Sequence, residues 1–212
     1  MADPKRLAEQ CVHSGLLYLA ESLQYYWPAR GEVAENNIAL HLARSFAEKG
    51  FQMWAEIPLH GENRRLDFLA YSYTDKITIA LEFKKSIETP QGNQEDLKRL
   101  VDIHADGLCH HHGIGDAEHK MYGVVTLLSA TEFADWWHDP KACGYMPPDG
   151  RSAPEYIRIG KALEVADFRW VGPLVEHMRS VDAKLELKWR FLRAAYALYD
   201  EHGIGKLAEV LN

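Results

Sequence analysis

The sequence lacks long apolar segments and has few cysteines. None of its 212 residues lies in a run of the roughly 18 apolar residues that a membrane helix needs, and no apolar signal segment follows the N-terminus. The three cysteines are odd in number, widely spaced and without a Cys-x-x-Cys pair, which argues against a disulfide framework and a structural zinc site. We therefore expect a cytoplasmic protein with reduced thiols, and no contact with membranes.

Repeats and low-complexity tracts are also absent, and the composition is that of a folded domain, with 47% apolar and 26% charged residues. The net charge of −7 argues against a protein whose whole surface binds nucleic acid. The charge is uneven, however, because residues 141–193 carry ten basic and seven acidic side chains. A local basic face in this part and an ordinary solvated surface are both open interpretations.

Apolar periodicity predicts one α/β domain over residues 1–212, with a core at roughly 30–130 and a C-terminal helical extension over 131–212. Helices are predicted at both termini and strands in the middle of the core. In chain order, the core elements are helices at 4–27 and 33–49, strands at 51–57, 64–73 and 76–85, a helix at 93–110 and a strand at 122–129. The extension is predicted to hold a short helix around residue 136, a strand at 156–165, a helix at 182–199 and a short tail helix.

The second and third predicted strands carry the residues that indicate chemistry. Side chains alternate along a strand, so Glu82 and Lys84 share one face of the third strand. If the second strand is its hairpin partner, Asp67 can lie beside Glu82. Two adjacent carboxylates repel each other, and a divalent cation resolves that repulsion. Oxygen ligands of this kind suit Mg²⁺ or Mn²⁺, and Lys84 can activate a metal-bound water or stabilise negative charge in phosphodiester hydrolysis.

A fourth acidic residue lies on the second predicted helix. Glu35 precedes Ile38, Leu42 and Phe46 at helical spacing, so it falls on the stripe that faces the core. An inward carboxylate needs a partner, and a metal or its bound water would serve. The alternative is a residue in the first turn favoured by the helix dipole. Glu32 is the reserve candidate.

The tripeptide acid-x-Lys is not specific by itself, because it occurs seven times in this chain. Only the copy at Glu82 lies on an alternating apolar strand that follows an Asp-bearing strand. In this arrangement, Asp67, fourteen intervening residues and Glu82-Phe83-Lys84 resemble the PD-(D/E)XK superfamily of the restriction-endonuclease-like fold. The chain departs from the family pattern at Leu66, where many members have proline.

The resemblance covers residues 30–130 and implies a core of helix, three-stranded meander, helix and strand, with extra helices at both ends. It also implies Mg²⁺- or Mn²⁺-dependent cleavage of DNA or RNA. Asp67, Glu82 and Glu35 match the acidic metal-binding positions, and Lys84 matches the catalytic lysine. Gln94, on the third core helix, matches a glutamine that supports the site in several related nucleases, with helix capping as the equal alternative.

The basic part of the chain is the expected substrate surface. Lys184 and Lys188 lie four residues apart on the predicted helix 182–199, so they share a face that can contact phosphates. Trp136 and Trp137 can stack on bases, although burial is the commoner fate. The histidines at 104 and 110–112 suggest zinc, but adjacent helical residues diverge, and we expect a solvated helix end instead.

Three functions remain open from the sequence. The first is a metal-dependent nuclease that acts on DNA or RNA. The second is a catalytically silent protein of the same fold that binds nucleic acid or protein, and the acidic balance favours this function or a nuclease within a homodimer or larger complex. The third is an unrelated α/β protein in which Asp67 and Glu82-x-Lys84 coincide by chance. Only the first two require Asp67, Glu82 and Lys84 to lie together.

Overall fold

The structure is a computed structural model of the whole chain. It describes residues 3–23, 35–59, 65–84, 90–106, 117–128, 141, 154–171 and 193–211. The α/β class predicted from the sequence is confirmed. None of the helices in these ranges is long and apolar enough to cross a membrane.

The described residues form five helices and six strands. The helices are α1 (Pro4–Leu23), α2 (Glu35–Glu48), α3 (Pro90–Asp106), α4 (Pro154–Val165) and α5 (Glu201–Leu211). The strands are β1 (Gln52–Pro58), β2 (Arg65–Ser72), β3 (Ile77–Lys84), β4 (His119–Leu128), β5 (Asp167–Val171) and β6 (Arg193–Tyr199). From α1 to β4, the element order is the predicted one, with bounds shifted by a few residues.

One mixed sheet contains all six strands in the order β1-β2-β3-β4-β6-β5. Strands β1, β2 and β3 form an antiparallel meander, and β4 then pairs with β3 in parallel. A parallel pair needs a crossover connection, and the segment between β3 and β4 contains α3. Strands β6 and β5 extend the sheet antiparallel to β4.

Helices cover both faces of the sheet. On one face, α1 and α2 pack on a core that includes Leu81 and Phe83 of β3. On the other face, α3, α4 and α5 pack on a core that includes Ala80 of β3. The alternation predicted for β3 is confirmed, because odd-numbered residues of this strand face α1 and α2 while Ala80 faces α3.

Two glycines allow the close packing of α1 and α2 and the end of α2. A Cβ at Gly15 of α1 would lie 2.8 Å from Leu42 Cα, so a larger residue would force the two helices apart. Gly50 follows α2 with φ of 79°, a conformation that glycine adopts without steric cost, and it ends the helix as predicted.

The strand predicted over 156–165 is wrong, because these residues lie in α4. The run Ile157-Arg158-Ile159 alternates like a strand, but Ile159, Ala162 and Leu163 are buried at helical spacing while Ile157 is exposed. Pro154 is the first residue of the helix, where its missing N–H costs nothing.

The helix predicted over 182–199 is wrong for residues 193–199, which form β6. Tyr196 and Tyr199, placed on one helical stripe by the sequence, belong to the cores on opposite faces of the sheet. Residues 194–199 are all buried, and a short, continuously apolar run does not distinguish a buried strand from a helix. Strand β5 was not predicted at all. The tail helix is confirmed as α5, which contains Gly203 and Gly205.

Candidate functional site

The β2–β3 hairpin brings Asp67 and Glu82 together. The register pairs Phe68 with Leu81 and Leu69 with Ala80; Asp67 lies two residues before Leu69 and Glu82 two residues after Ala80, just beyond the last pair. Residues opposite each other on antiparallel strands have their side chains on the same face. The Phe83 N–H donates to Asp67 Oδ2 at 2.7 Å, which fixes this carboxylate at the end of β3. The two carboxylates therefore lie side by side, as the hairpin interpretation requires.

Glu82 is buried beneath this end of the sheet, with 1% of its surface exposed. Its Oε2 accepts a hydrogen bond from Arg99 Nη1 at 2.6 Å. Within the described part of the chain, its Oε1 is buried and has no hydrogen-bond partner. An unsatisfied carboxylate oxygen in the interior costs free energy, so a group that binds it would stabilise the site.

Lys84 lies two residues after Glu82 and on the same face of β3. Its Nζ is 2.9 Å from Asp96 Oδ2, and 28% of its side chain is exposed. Since Asp67 is also partly exposed, the site is open to solvent at the side where these two residues lie.

Helix α3 contributes two charged residues that the sequence analysis did not single out. Asp96 is 98% buried as a side chain, and its Oδ1 lies 3.3 Å from Arg99 Nη2, one helical turn away. Arg99 thus bridges Glu82 and Asp96, while Asp96 bridges Arg99 and Lys84. We call the five residues Asp67, Glu82, Lys84, Asp96 and Arg99 the charged cluster.

Asp96 could have been found from the sequence. It precedes Leu100 and Ile103 at spacings of four and seven, and both of these residues are buried. This is the argument that selected Glu35, applied to α3. The helical spacing of Gln94, Leu97, Val101 and His104 predicts a different inward stripe, and Val101 and His104 are only half-buried. The acid-x-Lys tripeptide at Asp96 does not indicate this site, because it lies on a predicted helix rather than a strand, and Lys98 is exposed in the structure.

The charged cluster shifts the proton affinities of its carboxyl groups. Burial, followed by repulsion from Asp67, raises the pKa of Glu82 to about 9. Burial also raises the pKa of Asp96 to about 6, although Lys84 and Arg99 oppose this shift. Burial lowers the pKa of Arg99, but the neighbouring carboxylates outweigh it and the net shift is upward. Three carboxyl groups share two cations, so the cluster favours retention of one proton at neutral pH.

The edge strand departs from regular geometry beside the cluster. Glu56 lies between Ala55, which pairs with Phe68, and Ile57, which pairs with Leu66, so it flanks Asp67. Its φ is 54°, in the left-handed region that residues with side chains rarely adopt. Such conformations concentrate at functional sites, which makes this one a supporting observation.

The other predicted site residues fall in three groups. Gln94 is buried on α3, the helix that also carries Asp96 and Arg99. Glu35 is the first residue of α2, and this helix packs on the face of the sheet opposite to Glu82. The side chain of Glu35 lies outside the part of the chain that the structure describes. Lys184 and Lys188 lie outside the described residues, as do Glu32, Trp136, Trp137 and the histidines at 110–112.

His104 is the one member of the histidine group in the described part of the chain. Its Nδ1 lies 3.0 Å from the Tyr122 hydroxyl, which joins α3 to β4. Over the ranges that the structure describes, no group of three or more His, Cys, Asp or Glu side chains converges on a metal position. A Mg²⁺ site commonly uses only one or two protein carboxylates together with water, so Asp67 and Glu82 fit such an ion as a pair.

No family model, curated protein or solved structure matches this chain. The functional assignment is therefore argued from the arrangement of the charged cluster.

Proposed function

We propose that this protein is a metal-dependent nuclease that hydrolyses phosphodiester bonds of DNA or RNA. The observation that carries the proposal is the closeness of Asp67 and Glu82 at the end of the β2–β3 ladder, with Lys84 on the same face of β3 as Glu82. The Oε1 of Glu82, which has no hydrogen-bond partner among the described residues, supports the proposal because a cation could bind it. The order α2, β1, β2, β3, α3, β4 also agrees with the restriction-endonuclease-like core implied by the resemblance.

In this proposal, Asp67 and Glu82 would hold a Mg²⁺ or Mn²⁺ ion. When bound, the ion supplies Lewis-acid activation of water and of the phosphate. Glu35 remains a proposed third ligand, and Gln94 a proposed supporting residue. The chain's own cation, Lys84, stabilises the negative charge that grows on the phosphate during hydrolysis. Its side chain is 28% exposed, which lets it meet a substrate.

A second function is favoured by the ion pairs of the cluster. Glu82 and Lys84 are both engaged by residues of α3, at 2.6 Å and 2.9 Å. A network of this kind could have a purely structural role, in which it holds α3 on the sheet and takes no part in catalysis. The chain would then be a catalytically silent binding module for nucleic acid or protein.

A cleavage assay separates the two functions. We expect the purified protein to cleave at least one member of a panel of single-stranded, double-stranded and branched DNA and RNA in millimolar Mg²⁺ or Mn²⁺. Cleavage should stop with a chelator and return when the metal is restored. A protein that binds one of these substrates but leaves all of them intact with either metal would support the binding module and contradict the nuclease.

An exposed tryptophan on the face of the cluster predicts a substrate contact. Trp54 of β1 pairs with Leu69, which pairs with Ala80, two residues before Glu82. Trp54 therefore lies on the same face as Glu82, and it is 40% exposed. Since an unstacked base can stack on such a ring, we expect Trp54→Ala to weaken binding of a single-stranded oligonucleotide by roughly 5- to 100-fold.

Tyr73 provides the matched control for Trp54. It is an exposed aromatic residue at the opposite end of the β2–β3 hairpin. Fluorescence anisotropy with a labelled oligonucleotide should show a loss for Trp54→Ala and none for Tyr73→Ala. Equal affinities of both variants and the unmodified protein would contradict a substrate path across Trp54.

A further inference from the structure

We propose that Asp96 and Arg99 of α3 are positioning residues, which fix the metal ligand Glu82 and the lysine Lys84 in their working orientations. This inference rests on the proposed metal site. It assigns a role to two residues that lie outside the Asp67 and Glu82-x-Lys84 motif.

The division of hydrogen bonds on Glu82 is the first step. Arg99 Nη1 donates a hydrogen bond to Oε2 of Glu82 at 2.6 Å, whereas Oε1 has no partner among the described residues. A glutamate side chain has three rotatable torsions, so a buried glutamate without a fixed partner can turn its oxygens in several directions. The guanidinium holds one oxygen, which directs the other toward the side where a cation would bind.

Asp96 fixes the guanidinium in turn. Its Oδ1 holds Arg99 Nη2 at 3.3 Å, so the planar group of Arg99 is bound at two of its nitrogens by two different carboxylates. The Arg65 carbonyl also lies 3.4 Å from Arg99 Nη1. A planar fork bound at both prongs has a defined orientation, and lysine cannot reproduce this geometry with its single ammonium group.

The second oxygen of Asp96 acts on Lys84. Oδ2 lies 2.9 Å from Lys84 Nζ, and this carboxylate is nearly excluded from water. One buried side chain of α3 thus orients both cations of the cluster. Such partners of metal ligands usually affect metal affinity or activity by 10- to 100-fold when they are replaced.

Metal binding tests the proposal without any cleavage measurement. We expect Arg99→Lys to bind Mn²⁺ at least about tenfold more weakly than the unmodified protein, as measured by titration calorimetry or by the electron paramagnetic resonance signal of free Mn²⁺. The charge is retained in this variant, so the loss would report geometry. Arg44→Lys is the matched control, because Arg44 pairs with Glu48 on the surface of α2.

Two outcomes would overturn the role of Arg99. Unchanged Mn²⁺ affinity in Arg99→Lys would show that a positive charge alone suffices. Tighter binding would show that Arg99 competes with the metal for Glu82. Absence of Mn²⁺ binding to the unmodified protein would remove the metal site and this inference together, whereas Mn²⁺ binding without cleavage would contradict only the nuclease.

The role of Asp96 is tested through the reactivity of Lys84. In the folded protein, we expect Asp96→Asn to raise the rate at which an amine-modifying reagent labels Lys84, measured by peptide mass spectrometry, by severalfold. Labelling of Lys76, which pairs with the exposed Glu118, should not change. Equal labelling of Lys84 in both proteins would contradict its fixation by Asp96. Should Asp96→Asn fail to fold, Asp96→Glu, which keeps the charge and moves it by one methylene, is expected to give the same increase.

Discussion

Replacement of Lys84 by methionine, or of Glu82 by glutamine, is expected to lower the rate of nucleic-acid cleavage by at least about a hundredfold. Lys84→Met keeps the aliphatic stem but removes the charge that would stabilise the transition state. Glu82→Gln keeps the shape and the possibility of hydrogen bonding but removes the anionic ligand. Both losses act on the chemical step, so kcat should fall more than KM rises.

The chain contains a matched glutamate–lysine pair for this test. Lys76 and Glu118 form an exposed ion pair, 3.5 Å apart, near the start of β3, at the opposite end of the strand from Glu82 and Lys84. Lys76→Met and Glu118→Gln should leave cleavage within about twofold, because exposed pairs contribute little to the free energy of folding.

Circular dichroism decides whether a loss of cleavage reflects chemistry or unfolding. Lys84→Met leaves one oxygen of the buried Asp96 without its cation, while Arg99 still holds the other. A native spectrum with no cleavage would support the proposed role of Lys84. Cleavage that continues at the original rate in both site variants would remove these residues from the mechanism.

The hairpin of the site was predictable because two independent patterns agree in it. Apolar alternation in β3 assigned Glu82 and Lys84 to one face, and the short connection after β2 required an antiparallel partner. A one-residue slip would turn every side chain to the other face and place Glu82 in the apolar core that contains Leu81 and Phe83, so this core fixes the register.

The C-terminal strands were not predictable from the same kind of pattern. In β6, alanine and leucine favour a helix locally, but β4 and β5 pair with the two edges of the segment, and the cores on both sides of the sheet bury its two faces. Burial on both faces removes the alternation by which a strand is recognised. In α4, a strand was predicted where the structure has a helix, because only a few consecutive residues alternate between apolar and polar.

The α3 residues of the cluster show a different limit. Asp96 and Arg99 are separated from Glu82 by more than a dozen residues, and their role depends on how α3 is rotated about its axis. The sequence predicted the helix but placed its inward face about one residue away from the observed one. Charged residues at the margin of a stripe are the ones that such an error misassigns.

The stability of the protein is expected to fall as the pH rises from about 5 to 9, and Glu82→Gln is expected to remove most of this fall. The pKa of Glu82 is raised from its ordinary value of 4.5 to about 9, first by burial and then by Asp67. Between these two values, the unfolded chain releases a proton that the folded protein retains. The folded state therefore loses up to about 1.4 kcal/mol of stability per pH unit, roughly 3 to 6 °C in Tm.

Other groups of the charged cluster also contribute to the dependence of stability on pH. Asp96, with its pKa raised to about 6, adds a fall of the same sign at the acidic end. Arg99 opposes the upward pKa shift of both carboxyl groups, and Lys84 opposes that of Asp96. The informative quantity is thus the difference in Tm between Glu82→Gln and the unmodified protein, which should grow in favour of the variant as the pH rises.

Thermal unfolding at pH 5, 6, 7, 8 and 9 measures this difference, with Glu118→Gln as the exposed control. A variant that is less stable than the unmodified protein at pH 8 and 9 would show that Glu82 is ionised in the folded state and held by Arg99.

A divalent metal provides a second test of the Glu82 carboxyl group. A bound cation would neutralise the repulsion between the carboxylates of Asp67 and Glu82, which a proton on Glu82 otherwise relieves. At pH 8, millimolar Mn²⁺ should raise the Tm of the unmodified protein by several degrees and leave that of Glu82→Gln nearly unchanged. The gain should shrink as the pH falls toward 6, since the proton and the cation compete for the same carboxylate. Equal gains in both proteins, or the same gain at every pH, would place the Mn²⁺ away from Glu82, and Asp67 alone could not then account for a metal site at the end of this hairpin.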